Sequence, residues 1–178
     1  ASVALDLVEQ RYGPLNARPA LLLGTGAYAG AVAADLLGRG AQVSVHSASG
    51  RAAAFARTHQ IDAVDSAELT AEFGRAALVV SCSGQGGRTL TAHQLAASRS
   101  FQQAVLPIVD LAVSRDIDPL LSFLYPVEVI DLDEIGRHAP GAQNLLPVIN
   151  VVKERVERAD TLFDAARQAA PFAGRNDP

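Results

Sequence analysis

A chain of 178 residues with 49% hydrophobic and 19% charged side chains has the material for one folded domain with its own core, which excludes a disordered tail. Its formal net charge of -4 supplies no overall basic field to attract nucleic acid or anionic lipid. Its single cysteine, Cys82, excludes an internal disulfide and fits a reducing, cytoplasmic setting, and no apolar run is long enough to cross a bilayer.

The spacing of Ala4, Leu7, Val8 and Arg11-Tyr12 predicts an opening helix that Gly13-Pro14 ends. Ala20-Leu21-Leu22-Leu23 reads as a strand buried on both faces and runs straight into Gly24-Thr25-Gly26. An alanine-rich helix is expected over 27–37, closed by Gly38 and Gly40. Val43-Ser44-Val45 is a second strand and 51–59 a second alanine-rich helix. A third strand is expected over 61–64, a helix capped by Ser66 and running through Phe73, and a fourth strand over 78–81. After a loop at 84–87 come a helix over 91–97, a strand over 105–110 and a last strand over 127–130. A long helix is expected from Asn144 to about Ala170, with a fraying tail from Gly174 to Pro178. Six strands alternating with helices predict an α/β fold, a doubly wound parallel six-stranded sheet flanked by N- and C-terminal helices.

The first chemical signal is Gly24-x-Gly26-x-x-Ala29, placed between the first buried strand and the helix that follows. In a dinucleotide fold, Gly24 allows the tight turn, Gly26 lets the backbone approach a pyrophosphate, and the small Ala29 lets the helix pack close to the strand. Thr25, Ala27 and Tyr28 complete the expected cofactor-binding segment. On this reading a side chain at Gly26 blocks the pyrophosphate without unfolding the domain. The plainer alternative is a glycine turn that only joins strand to helix.

The second signal is an omission. Dinucleotide folds that take NAD place an Asp or Glu at the end of the second strand to hold the ribose hydroxyls, yet no acidic residue lies between Asp35 and Asp62. The sequence there is His46-Ser47-Ala48-Ser49-Gly50-Arg51. Ser47 and Ser49 offer hydroxyls and Arg51 a guanidinium, a set suited to the 2′-phosphate of NADPH. An ordinary polar loop with a helix cap would also read this way.

The run Ile108-Val109-Asp110-Leu111-Ala112-Val113-Ser114-Arg115-Asp116-Ile117-Asp118-Pro119 resembles the fifth-strand signature of the NADPH-binding domain of glutamyl-tRNA reductases. The likeness extends over nearly the whole chain: Ser2 to Gly13, the glycine loop from Leu23 to Ala29, Val80 to Gly84, Val127 to Ile135 and Asn144 onward. It implies a linker helix over 1–16 leading from a catalytic domain, a NADP-binding Rossmann domain over 17–143, and the start of a helical dimerisation region over 144–178. It also implies NADPH as cofactor and reduction of glutamyl-tRNA to glutamate-1-semialdehyde for tetrapyrrole (heme) biosynthesis. The tRNA would be held by the full-length homodimeric enzyme rather than by this domain. The nucleophilic cysteine of such enzymes belongs to the N-terminal domain, so no catalytic residue is expected here, and this chain alone is expected to be inactive. Where the family commonly has Asn-Arg-Thr after the second strand, this chain has Ser47-Ala48-Ser49, leaving Arg51 to replace the arginine. Two other readings stay open: the NADP domain of a shikimate-dehydrogenase-like enzyme, and a non-catalytic nucleotide-sensing or interaction module.

The remaining reactive side chains form no constellation. Cys82 has no basic neighbour in sequence to lower its pKa and is expected to be a small, partly buried strand residue. His46, His59, His93 and His138 lie on different elements, without metal-ligand spacing, and are expected at the surface. Asp131, Asp133 and Glu134 suit a turn and helix start, and Asp110, Arg115, Asp116 and Asp118 a hydrogen-bonded loop at the carboxyl edge of the sheet.

Overall fold

The computed structural model describes residues 2–83, 90–100, 102–112, 117–123 and 126–138. Six strands form one sheet: β1 (Pro19–Leu23), β2 (Gln42–His46), β3 (Asp62–Ala63), β4 (Leu78–Ser81), β5 (Leu106–Asp110) and β6 (Val127–Ile130). Every pairing is parallel and the order is β3-β2-β1-β4-β5-β6. The helices are α1 (Ser2–Tyr12), α2 (Ala29–Gly38), α3 (Ala52–His59), α4 (Leu69–Arg75), α5 (Ala92–Ser98) and α6 (Leu132–His138), with a 3-10 turn over Pro119–Phe123. This is the six-stranded, doubly wound sheet that the sequence predicts.

The strands are apolar throughout because both of their faces are covered, so the two-residue period of a strand appears as a division between two cores. Ala20, Leu22, Val43, Val45, Leu78 and Val80 point to one face, where they meet buried side chains of α1, α2 and α3. Leu21, Leu23, Val79, Leu106 and Ile108 point to the other, against Leu69 and Phe73 of α4 and Leu95 of α5. β1 lies between β2 and β4, and the strand order reverses there. In open parallel sheets, this reversal leaves a crevice at the carboxyl ends of the strands.

α1 packs on the sheet through Ala4, Leu5, Leu7 and Val8, and Gly13, at φ +84°, ends it. Two arginines fasten its polar side. Arg39, after α2, binds Asp6 and Glu9 of α1 and Asp35 of its own helix. Arg11 binds Glu128 of β6 and Glu134 of α6, and the Tyr12 hydroxyl also donates to Glu128. Burial, followed by the nearby Glu128 carboxylate, pushes the Tyr12 phenol up. At Asp35, burial is outweighed by hydrogen bonds from Ser2 and Arg39, which together hold its carboxyl below the usual range.

Several boundaries differ from expectation for local reasons. Glu68 rather than Ser66 is the N-cap of α4, which begins at Leu69, because the Glu68 N–H first closes a turn onto the Asp65 carbonyl. β3 contracts to Asp62–Ala63, although the Val64 N–H still reaches the Val45 carbonyl. Thr91 is the N-cap of α5 rather than its first residue and forms a reciprocal capping box with Gln94. His46 is buried, contrary to the surface placement expected of it, with Nδ1 3.0 Å from the Val64 carbonyl. Asp131 accepts the Glu134 N–H at the start of α6, as its turn-and-helix-start pattern implies. The long helix expected from Asn144 lies outside the described residues, as do Arg115 and Asp116.

Candidate dinucleotide-binding site

The site is built from three loops that leave the carboxyl ends of β1, β2 and β4. After Leu23 the chain turns at Gly24, whose φ of +97° suits glycine alone. The Gly24 N–H donates to the His46 carbonyl at 2.8 Å, tying the first loop to the end of β2. A Cβ at Gly24 would stand 2.5 Å from the Ser83 Cα, so the loop lies directly against the chain leaving β4. The Ala29 N–H then closes a turn onto the Gly26 carbonyl at 3.0 Å, and α2 starts with Ala29 fully buried.

Gly26 has a second reason to be glycine. A Cβ there would lie 2.7 Å from the Cys82 carbonyl oxygen, so any side chain at this position pushes against the backbone after β4. The expectation that substitution at Gly26 blocks a ligand without disturbing the fold is therefore corrected. Thr25 is half-buried in the loop, while Ala27 and Tyr28 are exposed, Tyr28 at 74%. The N-cap Tyr28 makes no side-chain bond to α2, and the Ala29 N–H is taken by the Gly26 carbonyl.

The second loop follows β2. Ser47 is buried, and Ala48, Ser49, Gly50 and Arg51 are exposed. Arg51 is the N-cap of α3 rather than a helical residue. Its Nε donates to Ser49 Oγ at 2.8 Å, Ser49 Oγ lies 3.0 Å from Ser47 Oγ, and Ser47 Oγ lies 3.4 Å from Thr25 Oγ1. A chain of polar groups thus runs from an exposed guanidinium to the glycine loop. No carboxylate forms an ion pair with Arg51 among the described residues.

The structure therefore brings together Gly24, Thr25, Gly26, Ala29, Ser47, Ser49 and Arg51, and turns Ala27 and Tyr28 toward solvent. Sequence reading missed Ser83, which borders Gly24 from the end of β4. The signal was available: in this strand order, β4 is the neighbour of β1 across the switch point, so the residue after β4 must face the first loop. Cys82 is buried beside the same loop, just past the end of β4 rather than partly buried within the strand as expected. After β5, Asp110 Oδ1 accepts the Ala112 N–H at 3.0 Å and Asp118 Oδ1 the Leu120 N–H at 3.1 Å, so both carboxylates shape the turns there. Among the described residues, no three His, Cys, Asp or Glu side chains gather to hold a metal, and no helix is long and apolar enough to cross a membrane.

The model of the family described as Shikimate / quinate 5-dehydrogenase matches residues 6–138, the span of the sheet and its covering helices. The chain belongs to this family. Within it, the sequence is most informative about the branch. The chain is 41% identical over 167 residues to the glutamyl-tRNA reductase of Clavibacter michiganensis, covering 92% of this chain and 38% of that protein. It is 43% identical over 145 residues to the glutamyl-tRNA reductase of Cutibacterium acnes, covering 79% of this chain and 31% of that protein. Among solved structures, glutamyl-tRNA reductase from Methanopyrus kandleri shares the fold with a TM-score of 0.71 at 24% identity, over 94% of this chain and 43% of that one. Shikimate 5-dehydrogenase from Thermus thermophilus shares it with a TM-score of 0.58 at 24% identity, over 89% and 60%. This family member is a glutamyl-tRNA reductase-like NAD(P)-binding domain, and it spans well under half the length of the curated relatives it matches.

Proposed function

We propose that this domain binds NADPH at the carboxyl edge of its sheet and presents it for the reduction of glutamyl-tRNA in a larger reductase. One observation carries the reading: the glycine loop sits at the switch point between β1 and β4, and a chain of hydroxyls joins it to the Arg51 guanidinium. The residues fit the group. The turn at Gly24 and the first turn of α2 after Ala29 offer backbone N–H groups to a pyrophosphate, at a helix end where a negative charge is favoured.

On this reading the end of β2 favours one cofactor over the other. An adenosine ribose reaching this loop meets Ser47, Ser49 and Arg51 and no carboxylate, so a 2′-phosphate gains a charge-assisted bond and meets no repulsion. Ser47 and Ser49 hold the guanidinium at the loop rather than leaving it to sample solvent. Ser83 and the backbone after β4 close the crevice opposite Gly24 and set how deeply a dinucleotide enters.

When bound, the nicotinamide supplies hydride. The chain's own residues hold and orient the cofactor. On this reading the thiol that carries the glutamyl group belongs to another domain, and Cys82, buried against the glycine loop, serves packing. Residues 144–178, read as the start of a dimerisation region, would join this domain to the homodimer that holds the tRNA.

Titration with NADPH and NADH tests cofactor choice, and a single-turnover assay with charged tRNA tests the division of labour. The isolated chain is expected to bind NADPH and to form no semialdehyde, whether or not Cys82 is replaced by Ser, because the reacting groups lie on separate domains. Semialdehyde formed by the isolated chain and lost in Cys82→Ser would overturn the assignment of the thiol.

A further inference from the structure

At the opposite end of the strands, a cleft of about 510 Å³ opens where β1, β4 and β5 begin. Arg18 lines it from just before β1, Ala76 and Ala77 from just before β4, and Ala104 and Val105 from just before β5. Its volume falls in the range of small-molecule sites, and alanine, valine and Pro107 share its walls with Tyr12, Gln103 and three arginines, Arg18, Arg75 and Arg99.

Arg99, the C-cap of α5, donates from Nη1 to the Phe73 carbonyl at 3.2 Å and the Ala76 carbonyl at 2.9 Å, and from Nη2 to the Ala104 carbonyl at 3.0 Å. A guanidinium has five N–H donors, so two remain. One is Nε, which is buried and meets no acceptor in the protein. Burial also pushes the pKa of Arg99 down, and among the described residues no carboxylate offsets it. Arg18 donates to the Tyr12 carbonyl at 2.8 Å and likewise pairs with no carboxylate among the described residues. The acids on neighbouring elements are already paired: Glu72 holds Arg75, which also lines the cleft, and Ser44, and Glu128 holds Arg11 and the cleft-lining Tyr12.

Arg18 and Arg99, neither paired with a carboxylate among the described residues, therefore share one cleft, beside an Arg75 that Glu72 neutralises, in a chain whose net charge is -4. An oxyanion in the cleft would meet guanidinium charge that no carboxylate balances among the described residues, and would offer an acceptor to the N–H that Arg99 Nη2 has left. We propose that this cleft at the amino edge of the sheet binds a small organic anion, with a carboxylate or phosphate head toward Arg18 and Arg99 and an apolar body along Ala77, Val105 and Pro107. The site is independent of the dinucleotide reading, because five residues of β1, about 16 Å at ~3.3 Å each, separate it from the glycine loop.

Residue-resolved NMR titration of the full chain tests the proposal, with inorganic phosphate and succinate as separate probes. Phosphate also suits the glycine loop, so the amides of Ala76, Ala77 and Ala104 are read apart from those of Thr25 to Ala29. Saturable shifts of the first group are expected with at least one probe, and the probe that saturates identifies the head group. Arg18→Gln removes a single backbone bond and is expected to leave the melt unchanged while weakening binding about tenfold. Arg99→Lys, which keeps the charge but loses the fork, is expected to weaken it as well. Absence of saturable shifts at the cleft with both probes, or the same affinity in Arg18→Gln, would overturn the proposal.

Discussion

The two loops that build most of the dinucleotide site do opposite kinds of work. The first, Gly24 to Ala29, acts through its backbone: its glycines lie against Cys82 and Ser83, and its exposed side chains, Ala27 and Tyr28, touch little. The second, Ser47 to Arg51, acts through side chains on a loop with room around it, where a Cβ at Gly50 would meet nothing within 4 Å. On the proposed function, substitutions in the first loop are therefore expected to cost both stability and affinity for any dinucleotide, and those at the exposed positions of the second to change which dinucleotide binds with little effect on the fold.

The largest expected effect comes from the first loop. Gly24→Ala forces a Cβ into the Ser83 backbone at a positive φ, and chemical denaturation should show a loss of about 2–4 kcal/mol, with NADPH and NADH affinity falling together. A wild-type midpoint would mean that the loop does not lie against β4. Gly26→Val should behave similarly, through its contact with the Cys82 carbonyl.

Ser47→Asp comes next and sharpens the contrast. An acid at the end of β2 suits ribose hydroxyls and repels a 2′-phosphate, so the preference should move toward NADH by roughly 2–3 kcal/mol. Competitive binding of the two cofactors measures it, and an unchanged ratio would remove Ser47 from the site. Arg51→Ala should cost NADPH about 1–3 kcal/mol and NADH almost nothing, with a shift in stability within about 0.5 kcal/mol, as befits an exposed residue. A parallel loss for both cofactors would place Arg51 on a shared part of the ligand. Ser49→Ala should have the smallest effect, about 0.5–1.5 kcal/mol on NADPH alone, because it frees a guanidinium that remains present.

The same contrast explains what could be read in advance. The strands, their order of appearance and the glycine turn were legible because buried parallel strands are continuous apolar runs and because Gly24 needs its positive φ. The role of Gly26 was half legible: its neighbour is the Cys82 carbonyl, far along the chain, and no local pattern reports such a contact. His46 was misplaced for a similar reason, since its acceptor is the Val64 carbonyl across β3. The arginines that fasten α1, Arg11 and Arg39, look in sequence like ordinary surface charges until α6, β6 and α2 are brought beside them. In the second loop, the residue types were legible while the order of contacts, from Arg51 through Ser49 and Ser47 to Thr25, required the fold.

If the polar loop after β2 makes this a site for NADPH rather than NADH, calorimetric titration of the chain with each cofactor under one set of conditions shows it most directly. Saturable NADPH binding is predicted to be at least about tenfold tighter than NADH binding, the ratio that one charge-assisted bond of ~1.4 kcal/mol supplies. Equal affinities, or tighter binding of NADH, would contradict it.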